Sequence, residues 1–410
     1  MFRKYPWLRT VMLAALVLVV LGLSVANMRF VRQTTAASDF LPFWSASRAW
    51  LTDGLSPYSS DVQDDADALV YGRDARPSLG ERSFTFLYPY PSLYPALPFG
   101  LLDYGTARAV WMTLLELSLP VVVVLAFALF PRSIPPFLLA LTMALSLLWF
   151  PGFVTIINGQ ISILVVAALT GALLAIRREA DVWAGILLSL ATLKPQLGAV
   201  LLLFLVVWGI RRKRWKMILA LAGGVVVLWG GAFLFESGWM FAWGRTLVRA
   251  VNLGLNTSPA MFMIGSLVPS AEEVLGIALL VLATLSLVWE WGLLLVSDDR
   301  MLPWTAAYTA CVSIFLIPPL QYGDHTILLI PLATAMYYAY DRWKGGARRW
   351  TVLFLGILVV VSWLPFFQSE VSDAPGLLSL LPPVLLMIAL RWSRWWARHA
   401  LDWWDGDSTL

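Results

Sequence analysis

An all-α polytopic membrane protein with about 12 transmembrane helices is the fold class that this sequence predicts. Three observations lead there. Of 410 residues, 60% are hydrophobic and only 13% are charged, against about 25% charged in an ordinary soluble domain. The mean hydropathy is +0.76. Apolar stretches approaching the ~20 residues that a bilayer core demands recur along the chain. So few charges cannot cover a soluble surface, which excludes a cytosolic enzyme, a disordered protein and a nucleic-acid binder. The pI near 9.2 reflects a net charge of only +4, a small excess of the kind that membrane topology produces. One cysteine, Cys311, rules out an intrachain disulfide, and two histidines, His325 and His399, leave little for a metal centre.

The first apolar segment, Trp7–Ala26, contains Arg9 as its only charge and lacks a small-residue cleavage site ahead of a soluble domain, so it reads as a retained anchor. Further segments follow at 106–130, 134–150, 161–176, 182–193, 196–210, 217–235, 274–296, 302–317, 325–340, 350–366 and 377–390. Starting with the N-terminus inside and alternating sides, most of the 29 basic residues fall in the cytoplasm. This holds only if 182–210 crosses twice, broken at Lys194-Pro195-Gln196; otherwise the Arg211–Lys216 cluster lands outside. The expectation is one integral-membrane domain over 1–410 in the cell membrane, with both termini cytoplasmic. Glu116 and Glu290, inside spans, read as interhelical hydrogen-bond partners. Many of the 22 tryptophans stand at span ends, as at Trp149, Trp239, Trp243, Trp343 and Trp350, in the manner of an aromatic belt.

Material for chemistry gathers on the outer face. A long first loop covers 28–105 and a second covers 236–273, with shorter loops at 151–160, 318–324 and 367–376. In the first loop, Pro42 suits a helix start and Gly54 its stop. Phe43, Ala46, Ser47 and Trp50 then share one face, which predicts a helix lying along the interface. Asp61–Arg82 is polar and expected to be mobile; its acids are not spaced as a calcium loop. The aromatic, proline-rich run from Tyr88 suits a segment at headgroup level.

Asp39 lies just before the helix expected from Pro42, where the helix dipole favours an ionised carboxylate, and such a group can take a proton from a hydroxyl. Lys194, flanked by apolar sequence, is either a phosphate-binding point charge or a lysine snorkelling to the interface. Asn158-Gly159-Gln160 opens a span, where its amides can cap a helix or bind sugar hydroxyls. His325, beside Asp324, can pair with a carboxylate or bind a phosphate oxygen. Arg245 and Arg249, four apart on one helical face, break the positive-inside trend and point to an anionic ligand. Asn256-Thr257-Ser258 also fits a glycosylation acceptor, a short pattern of low specificity.

The order of these elements resembles glycosyltransferase family 87, the polyprenyl-phosphate-mannose-dependent mannosyltransferases of the membrane-embedded C-type (GT-C) superfamily. The residues concerned are Ser38-Asp39-Phe40, Trp44, Ala46, Arg48 to Tyr58, the run from Phe86 through Tyr88 to Pro95, Asn158-Gly159-Gln160, Ala184-Gly185 to Lys194-Pro195-Gln196, and Asp324-His325. The resemblance implies an inverting, metal-independent transferase with an extracytoplasmic active site. It needs no cofactor beyond its donor, a mannose or other sugar on polyprenyl phosphate; the sequence leaves the acceptor open among a cell-envelope glycolipid, a lipoglycan and a protein. Asp39 matches the general base, and Lys194 and His325 match residues of the donor site. Asn256 belongs to a region similar to a family Asn-x-Ser element. Gln196 stands where relatives often carry histidine. Two competing readings remain on sequence alone: a polytopic transporter or lipid flippase, and a non-catalytic scaffold of an envelope complex.

Overall fold

The computed structural model describes residues 7–252, 258–318, 321–368 and 377–399. Every regular element among them is helical. The chain divides into two compact units, Met1–Leu117 with Ile156–Gly159, and Ser118–Thr155 with Gln160–Leu410.

The first unit begins with α1 (Trp7–Gln33). Its apolar side chains, including Leu13, Val17 and Leu21, are exposed, as a lipid-facing helix requires. It is tethered by Asn27, which donates to Thr113 Oγ1 at 3.0 Å and Glu116 Oε2 at 2.8 Å; Glu116 is the interhelical partner that its position suggested. Three further helices follow: α2 (Leu41–Asp53), α3 (Ser60–Tyr71) and α4 (Tyr104–Phe127), with a 3-10 helix over Tyr90–Leu101.

Helix α2 starts and stops as expected, with Pro42 in its first turn and Gly54 in the left-handed region at φ 63°. Its first turns pack against protein, while Arg48 and Leu51–Asp53 are exposed. Leu41 through Ser47 are all buried, because aromatic side chains of the following segment cover it. Phe43 meets Phe86 at 5.2 Å and Tyr88 at 4.6 Å. A Cβ on Gly100 would come within 2.8 Å of the Ser47 and Arg48 backbone. The first half of the stretch expected to be mobile belongs to α3, with Ser59 Oγ accepting from Val62 N and Gly72 closing the helix at φ 69°.

In the second unit, α5 (Pro136–Leu148) and α6 (Phe150–Asn158) meet at a bend of 54°. Next come α7 (Ser162–Arg177), α8 (Asp181–Leu190), α9 (Pro195–Arg211) and α10 (Trp215–Val225), which runs through a π turn into α11 (Gly231–Phe235). The remainder is α12 (Trp239–Asn252), α13 (Pro259–Leu267), α14 (Glu272–Val296), α15 (Leu302–Leu316), α16 (Leu329–Gln368) and α17 (Leu381–Arg398). Helix α15 is the core, buried from Leu302 through Phe315, as a helix apolar on all sides should be. Helices α9, α14, α16 and α17 surround it. Glu290 on α14, 2% exposed, is clasped by Arg391 at 2.7 Å and Arg394 at 2.9 Å on α17.

Among the described residues, six helical stretches are long and apolar enough to cross a membrane: Leu13–Gln33, Tyr104–Phe127, Trp215–Phe235, Pro269–Val296, Arg349–Phe366 and Leu377–Arg398. The bent α5–α6 pair adds a seventh if counted as one span. The chain is thus a multi-pass membrane protein. The expected count of twelve is not reproduced. Three of the expected spans correspond to the shorter apolar helices Ser162–Arg177, Asp181–Leu193 and Pro195–Arg211. Two others, 325–340 and 350–366, fall largely on α16, a single helix of 40 residues. Gly345 and Gly346 lie within this helix, which a glycine weakens by only about 1 kcal/mol. Nor are all the span-end tryptophans belt residues: Trp149 and Trp239 are buried in protein, while Trp350 is exposed. Most of the expected 367–376 loop lies outside the described residues.

Helices α8 and α10 approach closely at Gly185. A Cβ there would stand 2.3 Å from Met217 O and 2.7 Å from Leu221 N, both backbone atoms that yield only if the helices part. Gly185→Ala is expected to lower stability by about 1–3 kcal/mol, read from thermal unfolding in detergent. An unchanged midpoint would mean that the contact does not hold the pair together.

Candidate functional site

Two groups of polar residues stand out, one in each unit. In the first, Asp39 sits immediately before Phe40, the N-cap of α2. Its side chain is 16% exposed and accepts from Arg82 Nη2 at 2.8 Å. Nothing in the sequence signals Arg82, which lies 43 residues away in the stretch expected to be mobile. Two carboxylates fix that stretch. Asp67, 1% exposed, accepts from Phe84 N at 2.7 Å and Ser83 Oγ at 2.8 Å. Glu81 accepts from Arg73 at 2.7 Å through both oxygens and from Arg76 N at 2.7 Å. Asp67 and Glu81 are therefore part of the scaffold of this stretch. Arg82 is also placed over the Phe84 ring at 5.3 Å.

The second group surrounds Lys194, which has no exposed surface. It occupies the break between a short 3-10 turn, Ala191–Leu193, and α9, with Pro195 at the first helical position. The two short helices expected around Lys194 are present, but snorkelling is not what the lysine does. Its Nζ lies 2.5 Å from Asp324 Oδ1, 2.7 Å from Ser162 Oγ and 3.2 Å from Gln321 Oε1. An ammonium has three protons, and these three oxygens are enough to occupy them. Ser162 Oγ also lies 3.2 Å from Asp324 Oδ1 as its donor. Asp324, paired in sequence with His325, is paired in space with Lys194. His325 is 1% exposed, and its Nε2 is buried without a hydrogen-bond partner among the described residues. Gln160 is buried against Gly323, where an added Cβ would overlap Gln160 Oε1. Gln196 is half-buried.

The other candidates are more scattered. Asn158 closes α6, and its carbonyl accepts from Phe40 N at 3.0 Å. No side chain caps the start of α7, so the capping role expected of the Asn-Gly-Gln amides is not used there. Tyr88 is half-buried and accepts through its carbonyl from Tyr58 Oη at 2.9 Å. Arg245 and Arg249 are both exposed on α12. Asn256 lies outside the described residues, and Ser258 caps α13 by accepting from Met261 N. Among the described residues, no three His, Cys, Asp or Glu side chains are grouped to hold a metal ion.

The Arg73 guanidinium, followed by the Arg76 amide, lowers Glu81 from its ordinary 4.5 to about 2. A depressed carboxylate stabilises the fold fully above its unfolded value and loses that effect as pH falls through the folded one. The Glu81 carboxyl carbon is accordingly expected to titrate by NMR near 2 rather than 4.5, and Arg73→Gln should return it toward the ordinary value. In the second unit, Lys194→Met leaves a buried carboxylate alone and is expected to cost about 3–5 kcal/mol. Adding Asp324→Leu should recover most of the loss, read from unfolding in detergent. Equal stability of wild type and Lys194→Met would refute the buried pair.

The glycosyltransferase family 87 model matches residues 86–319, more than half of the chain. The match includes Lys194, Asn158, Gln160, Arg245 and Arg249, whereas Asp39 and His325 lie beyond its ends. No curated protein and no solved structure matches the chain. The all-helical membrane fold and this match agree with the resemblance read from the motifs and favour an enzyme over the transporter and scaffold readings: the chain belongs to glycosyltransferase family 87.

Proposed function

We propose that the protein transfers a hexose, most simply mannose, from a polyprenyl-phosphate donor to a hydroxyl of a cell-envelope glycolipid or lipoglycan on the extracytoplasmic face. The reaction is an inverting displacement that needs no metal. Asp39 takes the proton of the acceptor hydroxyl while its oxygen attacks the anomeric carbon; the bond to phosphate breaks, and polyprenyl phosphate leaves with the electron pair. The observation that carries this reading is a carboxylate held by Arg82 at 2.8 Å before the first turn of α2, in a chain of this family.

The leaving phosphate needs positive or hydrogen-bonding neighbours. Arg245 and Arg249 are exposed cations on α12, which follows the candidate span Trp215–Phe235. Their position after that span supports a role near a membrane surface, where a lipid phosphate travels. The orphaned Nε2 of His325 supports a ligand contact, because a buried polar atom without a partner costs about 1–3 kcal/mol. Lys194 serves in this reading by holding Asp324, and with it the segment of His325. Asn158, Gln160, Gln196 and Asn256 are assigned to sugar and donor contacts, and Tyr88 to the aromatic wall of a lateral opening toward lipid.

Asp39→Asn is expected to lower mannosyl transfer from radiolabelled polyprenyl-phosphate mannose by about 10²- to 10⁴-fold, while the unfolding midpoint and donor binding stay unchanged. Undiminished turnover would remove Asp39 as base.

A further inference from the structure

One face of α4 grips the turn that carries Asp39. Tyr104, Arg108 and Trp111 are four and three residues apart, so they stack along one side of the helix. Each donates to a backbone oxygen of the chain that frames Asp39. Tyr104 Oη is 2.6 Å from Ala36 O and 2.8 Å from Ser38 Oγ. Arg108 donates through Nη1 to Thr35 O at 2.7 Å and through Nη2 to Ile157 O at 3.3 Å. Trp111 Nε1 donates to Gly159 O at 2.8 Å, and its ring stacks on Phe40 at 5.0 Å. Phe40 N in turn donates to Asn158 O at 3.0 Å. Gly159 adopts φ +71°, and a Cβ there would fall 2.6 Å from Phe40 Cβ.

Arg108 is the unusual member. It is 3% exposed, and among the described residues its Nε is buried without a hydrogen-bond partner and it joins no ion pair. Burying a guanidinium this way is costly. Filling space alone would be served by a leucine or methionine. What a charge adds is a pair of strong, charge-assisted hydrogen bonds to carbonyls on two segments far apart in sequence. Those bonds fix the turn from Thr35 to Phe40 on the side opposite in sequence to the Arg82 contact, so Asp39 is restrained both through its backbone and through its carboxylate.

We infer that Tyr104 and Arg108 are positioning residues that set the direction of the Asp39 carboxylate; the inference rests on Asp39 being the base. The test compares Arg108→Gln, Arg108→Lys, Tyr104→Phe and Asp39→Asn in the full-length protein. Readouts are kcat and KM for mannosyl transfer from polyprenyl-phosphate mannose, the unfolding midpoint, and amide hydrogen exchange over residues 34–41. Misplacing a reacting group by about 1 Å costs about a hundredfold in rate. Arg108→Gln is therefore expected to lose kcat by about that factor with KM for the donor unchanged, and to speed exchange over 34–41. Arg108→Lys should restore part of both. Tyr104→Phe removes a single oxygen and is expected to cost roughly tenfold in kcat, so it carries the test if Arg108→Gln does not fold.

Wild-type kcat in Tyr104→Phe and Arg108→Lys, with exchange over 34–41 unaltered and Asp39→Asn inactive, overturns the positioning role. Full activity of Asp39→Asn overturns the base reading instead. The exchange measurement then still decides whether α4 holds the turn.

Discussion

Inside a bilayer, every backbone amide and carbonyl has to find its partner within the protein. Among the described residues that constraint leaves helices as the only regular structure, and it makes each interruption of a helix a problem to be solved by side chains. The solutions are visible one by one. Where α6 stops, the Gly159 carbonyl takes the Trp111 indole. Where α1 gives way to α2, the Thr35 and Ala36 carbonyls take Arg108 and Tyr104. The candidate functional residues sit at these same interruptions: Asp39 before α2, Lys194 between its 3-10 turn and α9, and Asp324 and His325 in the 3-10 segment before α16.

The buried ion pair of Lys194 and Asp324 follows from the same economy of polar contacts. A lysine at 0% exposure is tolerable only with a counter-charge and with its remaining protons bonded, and Asp324, Ser162 and Gln321 supply both. Such a pair gives little net stability relative to apolar residues, but it penalises any arrangement that separates its members. Here the pair joins the α9 junction to the segment ahead of α16, and Ser162 on α7 bonds to both members, so three chain segments are held in register at once.

Around Asp39 the logic is of layered restraint. Glu81 and Asp67 organise the chain on either side of Arg82, Arg82 meets the carboxylate, and α4 holds the turn behind it. If Asp39 is the base, as proposed, its carboxylate must not swing, because orientation of this kind is where much of a transferase's rate advantage arises.

The membrane class, the two short helices around Lys194, the limits of α2, and Glu116 and Glu290 as interhelical partners were all legible from one chain. They depend on local composition and spacing: a run of apolar residues, a proline at a helix start, a glycine at its end, a lone charge in a span. The order of motifs also pointed to the family. What the sequence could not show was decided by contacts distant along the chain. Burial of α2 from Leu41 to Ser47 needs the aromatic segment 84–100 to fold over it. The ordering of 61–82 depends on Asp67 and Glu81 meeting residues up to 17 positions away. The union of two expected spans in α16 turns on a small glycine penalty set against the packing of a whole helix. Lys194 finds Asp324 across 130 positions, and Arg108 finds Thr35 across 73. Local pattern reports which residues prefer hydrocarbon and where a helix can start. Which charges share a site is set by loop closure and packing, and only the tertiary structure carries that.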